Sequence, residues 1–281
     1  MYGIKSFEIK KFTPKGIEEK PDLIVIEAPL EIRLGYGETH NRQQKSIAVT
    51  MRTPTGHDFE LTLGFLFTEN IITSFEDILS IHYCTDAGRQ EQKNIVRVEL
   101  KTDILVDFKS IERHFYATSS CGICGKSSIE AIQQQCNVFP KDDFKVSSNF
   151  IYTLPQLLAD KQIFFKHTGG LHAALIQSSS LSDWVLREDI GRHNALDKVI
   201  GFVLQQNILP LTDVVLLMSS RASFELIQKA AMAGIRVMAC IGSPSSLAIE
   251  TAHILGMTLI GFLRENSFNV YSHDNRIFTE N

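Results

Sequence analysis

Two thiols three positions apart, Cys121 and Cys124, sit in the stretch Thr118-Ser119-Ser120-Cys121-Gly122-Ile123-Cys124-Gly125-Lys126, among small residues that leave the backbone free to turn. A thiolate rather than a thiol is the nucleophile, and a helix N-terminus or a nearby cation draws a cysteine pKa down from about 8.5. Both aids are present in the sequence. Lys126 adjoins the pair, and Ser127 or Ser128 is placed to cap the helix-compatible run from Ser127 to Gln135. The stretch reads as a mobile, sulfur-handling loop, with the rest of the chain as a platform that presents it to a large ligand.

Four chemistries compete for that pair. A thioredoxin-like redox centre needs a strand before the motif, and Thr118-Ser119-Ser120 reads as loop. A structural zinc site needs four ligands; His114 and Cys136 are available to complete one, but no second close pair exists. Two inert loop thiols would be prone to oxidation if exposed, and buried ones would not sit among glycine and serine. The remaining reading is a nucleophile that carries sulfur as a persulfide, with the second thiol resolving it. Cys84, Cys136 and Cys240 read as inert, Cys240 as strand core.

Other polar clusters invite similar tests. Gly125-Lys126-Ser127 is not a phosphate loop, because Ser120 stands where that motif requires glycine. His172-Ala173-Ala174 with a cysteine pair is similar to a zinc deaminase signature, yet Ala174 replaces the glutamate and the cysteines lie upstream. His172 alone reads either as a hydrogen-bonded histidine at a strand–helix junction or as a ligand contact. Arg187, Asp189, Arg192, His193, Asn194, Asp197 and Lys198 crowd one helix start, and their alternating charge points to internal pairing or a ligand site rather than bare surface. Ser219, Ser220, Arg221 and Ser223 make the best phosphate cradle, whereas Ser243, Ser245 and Ser246 fit ordinary helix capping.

The elements that must position these residues fall into two styles. Residues 1 to about 20 read as a lead-in or edge strand, followed by strands at Leu23–Ile26, Leu30–Leu34 and Ser46–Met51. A turn is expected at Gly35-Tyr36-Gly37, a helix from Phe59 to about Phe67 capped by Asp58, and a half-exposed strand at Asn94–Leu100. Residues 1–115 thus form a β-rich α+β region. Residues 116–281 repeat strand, small-polar loop and helix: Ile163–Phe165 before His167–Ala174, Trp184–Leu186 before Arg187–Asn194, Val214–Met218 before Ser219–Ser223, Ile235–Ile241 before Gly242–Ser246, and a closing strand Thr258–Phe262. That grammar predicts an α/β layered domain with a mainly parallel sheet, whose ligands collect at strand ends beside helix N-termini.

Composition bounds the rest. In 281 residues, 44% are hydrophobic and 21% charged, and the net charge of −4 offers no global basic field for nucleic acid or an anionic membrane. No apolar run approaches the roughly 20 residues of a membrane span, and Met1 to Lys20 lacks a signal-peptide core. A cytoplasmic location is expected, and five cysteines argue against a disulfide scaffold there.

The runs Ser119–Gly125, Gly169–Ala174, Glu188–Lys198 and Ser219-Ser220-Arg221, with Arg52-Thr53-Pro54, closely resemble the FdhD family of formate dehydrogenase accessory sulfurtransferases across nearly the whole chain. The resemblance implies a cytoplasmic homodimer with a deaminase-like α/β domain. It also implies that a cysteine desulfurase supplies sulfur and that the acceptor is the molybdenum cofactor, bis-molybdopterin guanine dinucleotide, before insertion into formate dehydrogenase. On matching positions Cys121 carries the persulfide and Cys124 assists. Phe262, Leu263, Arg264, Glu265, Asn266 and Ser267 correspond by position to the cofactor segment, joined by His172, Arg192, His193, Ser219, Ser220 and Arg221. No permanent metal is expected.

Overall fold

Alternating apolar and polar residues build the first part of the chain into strands. The computed structural model describes residues 3–84, 93–108, 138–140, 142–178 and 184–280. Cys121, Cys124, Cys136, His114 and the expected boundary at 115/116 lie outside the described residues. Instead of a loose lead-in, β1 (Ile4–Thr13) and β2 (Gly16–Val25) form an antiparallel hairpin. Next come β3 (Ala28–Tyr36), which runs through the expected turn at Gly35, then β4 (Gln43–Arg52), α1 (Asp58–Thr68), β5 (Ile78–Tyr83) and β6 (Ile95–Leu100). These strands make a four-stranded sheet in the order β4-β3-β6-β5, with β3 and β6 parallel. Leu61, Leu63 and Leu66 of α1 share a core with Leu30, Ile32, Leu34, Val96, Val98 and Leu100. β6 is therefore more buried than its alternation implied.

The second part contains β7 (Val146–Ser147), α2 (Ser148–Lys161), α3 (Ile163–Thr168), β8 (His172–Ser178), β9 (Trp184–Asp189), α4 (Arg192–Gln205) and β10 (Val214–Met218). It continues with α5 (Phe224–Met232), β11 (Val237–Cys240), α6 (Ser246–Leu255), β12 (Thr258–Gly261), β13 (Asn269–Ser272) and β14 (Ile277–Phe278). The repeated strand–loop–helix units from β9 to β12 stand as read. Two expectations do not. Ile163–Phe165 is helical, because Glu188 accepts the backbone N–H groups of Phe164 and Phe165 at 3.0 and 2.8 Å. The large sheet, ordered β13-β12-β11-β10-β8-β9, is mixed rather than mainly parallel: β10–β11 and β11–β12 are parallel, while β10–β8, β8–β9 and β12–β13 are antiparallel. β8 and β9 follow one another in the chain as antiparallel partners, a pairing that requires no crossover helix.

Period-two alternation then sorts the two faces of the sheet. Leu216 and Met218 of β10 point with Met238, Cys240 and Leu259 into a core closed by α4, α5 and α6. Val215 and Leu217 point with Val237, Ala239 and Ile260 to the other face, under Ile151, Leu154 and Leu158 of α2. Cys240 is fully buried, as expected, and burial pushes its thiol pKa well up. Among the described residues no helix is long and apolar enough to cross a membrane.

α4 lies between this sheet and α1, and the two helices meet backbone to backbone. A Cβ on Gly64 would sit 1.8 Å from the Asp197 carbonyl oxygen, and one on Gly201 would sit 1.8 Å from that of Glu60. Close approach, not an unusual φ, is what demands glycine at both positions. Gly64→Ala or Gly201→Ala should therefore lower stability by about 3 kcal/mol or more, read from urea denaturation, whereas Ala at exposed Gly170, where the nearest atom would lie 3.4 Å away, should do far less.

Candidate functional site

Register brings one edge of the large sheet into a row of polar loops. His172 opens β8 opposite Asp189, the last residue of β9, and Ala174 pairs with Met218 at the end of β10. Met218 pairs with Cys240 at the end of β11, and Ala239 with Ile260 in β12. The loops 190–191, 219–223, 241–245 and 262–267 thus emerge side by side, and α4, α5 and α6 start from the first three. Backbone bonds extend the ladder into them: Ser219 N–H to Ala173 O at 3.0 Å, Gly242 N–H to Ser220 O at 3.1 Å, and Phe262 N–H to Gly242 O at 3.0 Å. The loops are tied to one another before any ligand arrives.

His172, Arg192 and His193 come together at the β8–α4 end of this edge. His172 is half-buried, at a strand start rather than a strand–helix junction. Burial chiefly lowers its pKa, the Arg192 and His193 charges add to that, and Asp189 opposes them. His193 Nε2 lies 3.4 Å from Ser223 Oγ and 3.5 Å from Glu225 Oε2. The Glu225 carboxyl is drawn down to about 2, first by its hydrogen bond with His193 and then by Ser223, against partial burial. Glu225 was not singled out in the sequence; its only cue was an acid in the first turn of a helix beginning at a candidate loop.

The expected phosphate cradle is modified. Ser219 Oγ accepts the Ala173 N–H at 2.8 Å, and Ser220 Oγ donates to the Arg221 carbonyl at 3.0 Å, so both hydroxyls serve the scaffold. Arg221 is exposed on the loop. Ser245 caps α6 by accepting the Ala248 N–H at 3.2 Å, as its sequence context indicated. In the 262–267 loop, Leu263 is buried while Phe262, Arg264, Glu265, Asn266 and Ser267 are exposed. Arg264 N–H closes the loop onto Ser267 O at 2.8 Å, and its guanidinium bonds the Ile241 carbonyl at 2.8 Å. This loop stands three strands away from His172, so the named positions share an edge without forming one cluster.

The remaining charges of the 187–198 run are structural. Arg187 grips Glu60 through two nitrogens, at 2.5 and 2.8 Å. Burial works to raise the Glu60 pKa, but Arg187 and His57 overcome it and hold the carboxylate ionised. Lys198, fully buried, bonds Asp189 Oδ2 at 2.6 Å and the Glu188 carbonyl at 3.0 Å; the Thr53 N–H meets the same Asp189 oxygen at 3.2 Å. Asn194 bridges Asp189 and the Met51 carbonyl, at 3.0 and 2.8 Å. Asp197 meets Lys229 and Thr68 at 3.0 Å. Burial works against the Lys229 charge, yet Asp197 and Glu69 outweigh it and keep its pKa raised. Arg52, from the Arg52-Thr53-Pro54 motif, holds Asp58 bidentately at 2.9 and 3.0 Å, so Asp58 is an ion-pair partner in the first turn of α1 and not its cap.

Fold and site together define a mixed α/β protein with a pre-tied, cation-bearing row of strand-end loops. The FdhD/NarQ family profile matches residues 25–278. The chain is 46% identical to sulfur carrier protein FdhD of Mycolicibacterium paratuberculosis, covering 92% of this chain and 93% of that one. It is 41% identical to sulfur carrier protein FdhD of Thermoplasma volcanium, covering 96% and 94%. Its fold is also that of a candidate formate dehydrogenase accessory protein from Desulfotalea psychrophila, with a TM-score of 0.73 at 22% identity over 98% and 99% of the two chains. The chain belongs to the FdhD/NarQ family.

Two outcomes follow from the geometry. Lys198→Met leaves Asp189 buried without its cation and should cost about 3–5 kcal/mol, measured by chemical denaturation. Glu225 titrates in the folded chain near 2 rather than at its ordinary 4.5, so the stability it contributes is present above pH 4.5 and lost as pH falls toward 2. The stability difference between the native chain and Glu225→Gln should shrink over that window.

Proposed function

We propose that the chain is a sulfur carrier serving formate dehydrogenase. Cys121 takes sulfur as a persulfide from a cysteine desulfurase and hands it to the molybdenum cofactor, bis-molybdopterin guanine dinucleotide, held as a substrate along the strand-end edge. The observation that carries this reading is 46% identity, over 92% of the chain, to a protein named as a sulfur carrier, in a sequence that contains the Cys121–Cys124 thiol pair. The protein works as a homodimer in the cytoplasm, and its second region has a deaminase-like ancestry without deaminase chemistry, since Ala174 stands where that chemistry needs a glutamate.

The transfer balances without an outside oxidant. The Cys121 thiolate attacks the outer sulfur of the donor persulfide; one S–S bond forms, another breaks, and the donor cysteine leaves as a thiolate. Cys124 then attacks the inner sulfur of the Cys121 persulfide, releasing hydrosulfide to the thiophilic metal of the cofactor. The resulting Cys121–Cys124 disulfide needs a thiol reductant to reset it.

The edge suits the proposed guest. From β9 to β12 it spans four inter-strand spacings, about 19 Å, which fits an elongated ligand better than a single phosphate. Arg192, Arg221 and Arg264 supply cations along it, His193 supplies a ring nitrogen, and the N-termini of α4, α5 and α6 supply backbone N–H groups. His172, with its lowered pKa, contributes a neutral ring near Arg192.

Incubation with a cysteine desulfurase and cysteine, followed by intact-mass and peptide analysis, should add one sulfur atom to Cys121. Cys121→Ala should lose both the adduct and formate dehydrogenase maturation while still binding cofactor. Maturation undiminished in Cys121→Ala would make the protein an escort for the cofactor, not a carrier of sulfur. Full activity in Cys124→Ala would remove the resolving step alone.

A further inference from the structure

Three side chains meet where α4 and α5 begin. His193 is the second residue of α4, Ser223 immediately precedes α5, and Glu225 is the second residue of α5. His193 Nε2 lies 3.4 Å from Ser223 Oγ and 3.5 Å from Glu225 Oε2, and the imidazole and the carboxylate are both partly exposed. Serine, histidine and carboxylate together suggest a nucleophile relay. A relay, however, places the acid and the serine on opposite ring nitrogens. Here both contacts fall on the same nitrogen, so Ser223 is not an activated nucleophile.

Donors and acceptors alone place the protons. The Glu225 carboxyl, drawn down to about 2, stays ionised and can only accept. The Ser223 hydroxyl donates its hydrogen to that carboxylate, which leaves none for the imidazole. A bare Nε2 would set its lone pair against those of both oxygens, so Nε2 carries the hydrogen and shares it between Glu225 and Ser223. In the neutral ring Nδ1 is then the bare nitrogen and an acceptor. Among the described residues, the side-chain contacts of His193 with Ser223 and Glu225 are made through Nε2 and leave Nδ1 without a share in them. Arg192, Arg221 and Arg264, the cations of the edge, only donate hydrogen bonds. An accepting nitrogen in their row reads an N–H or O–H of a ligand, not a phosphate oxygen.

We propose that Glu225 is a positioning residue: it pins the His193 proton on Nε2, and so makes Nδ1 the acceptor for an N–H or O–H of the nucleotide part of the bound guest. The inference rests on the reading of the edge as the cofactor site and deepens it. The test is nitrogen NMR on the full chain carrying isotope-labelled histidine, with His193→Gln to assign the ring signals. Neutral His193 should show a protonated Nε2 and a bare Nδ1, and guanosine diphosphate, a fragment of the proposed guest, should shift the Nδ1 signal. Glu225→Ala should let the two tautomers mix and weaken guanosine diphosphate about fivefold, the worth of one hydrogen bond. Inorganic pyrophosphate, which has neither base nor ribose, should bind Glu225→Ala at least as tightly as the native chain, because a carboxylate has gone from beside the cations. The dideoxyribose form of guanosine diphosphate separates the sources of the hydrogen. Loss of the Nδ1 shift assigns it to a ribose hydroxyl, persistence to a base N–H, and either supports the contact. A neutral ring protonated on Nδ1, a tautomer unchanged in Glu225→Ala, or an Nδ1 signal indifferent to guanosine diphosphate overturns the proposal. Tighter guanosine diphosphate binding in Glu225→Ala also overturns it, since Glu225 would then act by repulsion alone. None of these results touches sulfur loading of Cys121, which is read by mass. A native chain that binds neither guanosine diphosphate nor pyrophosphate overturns the cofactor edge together with this contact.

Discussion

Everything in this chain that must stay in register depends on two helices touching through bare backbone. With Gly64 and Gly201 at the crossing, α1 and α4 approach so closely that no side chain fits between them there, and any polar group beside the contact is cut off from water. Such groups are tolerable only in complete sets, because a buried charge that loses its partner costs more than the pair contributes. Each buried charge here has its partner: Lys198 lies on Asp189, which also takes the Thr53 N–H, Asp197 meets Lys229 and Thr68, and Asn194 bridges Asp189 and Met51. Each joins the first part of the chain, or α5, to α4 or the end of β9. The helix cannot slide relative to the small sheet without breaking several of them at once.

That immobility is inherited by the polar edge. Arg192 and His193 form the first turn of the helix whose next turns are locked, and Asp189 also accepts the Gly191 N–H at 2.9 Å just before it. Acid and base alternate through 187–198 because two tasks are interleaved on one segment. Arg187, Asp189, Asn194, Asp197 and Lys198 turn inward to fasten the scaffold, leaving Arg192 and His193 at the strand-end row. Glu225 sets a carboxylate against that row, held ionised first by its hydrogen bond with His193.

How much of this was legible beforehand follows from which interactions are local. The strand, loop and helix repeats from Trp184 to Phe262 were readable because apolar runs, small polar loops and capping residues such as Ser245 act within a few positions. The paired character of the 187–198 charges was readable from their alternation, but not their partners: Glu60 lies 127 positions from Arg187, and Thr68 lies 129 from Asp197. The three-residue apolar run Ile163–Phe165 fits strand or helix equally, and a carboxylate from another element, Glu188, decides it. Gly64 and Gly201 look like mild blemishes in two helical patterns until the helices are brought together.

The reversal of strand direction that the sequence pattern did not foretell is what makes the edge possible. In a parallel sheet, the first residue of a strand stands at the opposite end from the last residues of its neighbours. His172 is the first residue of β8, whereas Asp189, Met218 and Cys240 are the last of β9, β10 and β11. Because β8 runs antiparallel to both of its neighbours, its start falls in line with their ends, and His172 comes within the influence of Arg192 and His193. The same reversal lets Ser219 spend its hydroxyl and its N–H on the Ala173 backbone, fixing the 219–223 loop against β8. A mainly parallel arrangement of the same residues would scatter to two ends of the sheet the groups that this fold gathers at one.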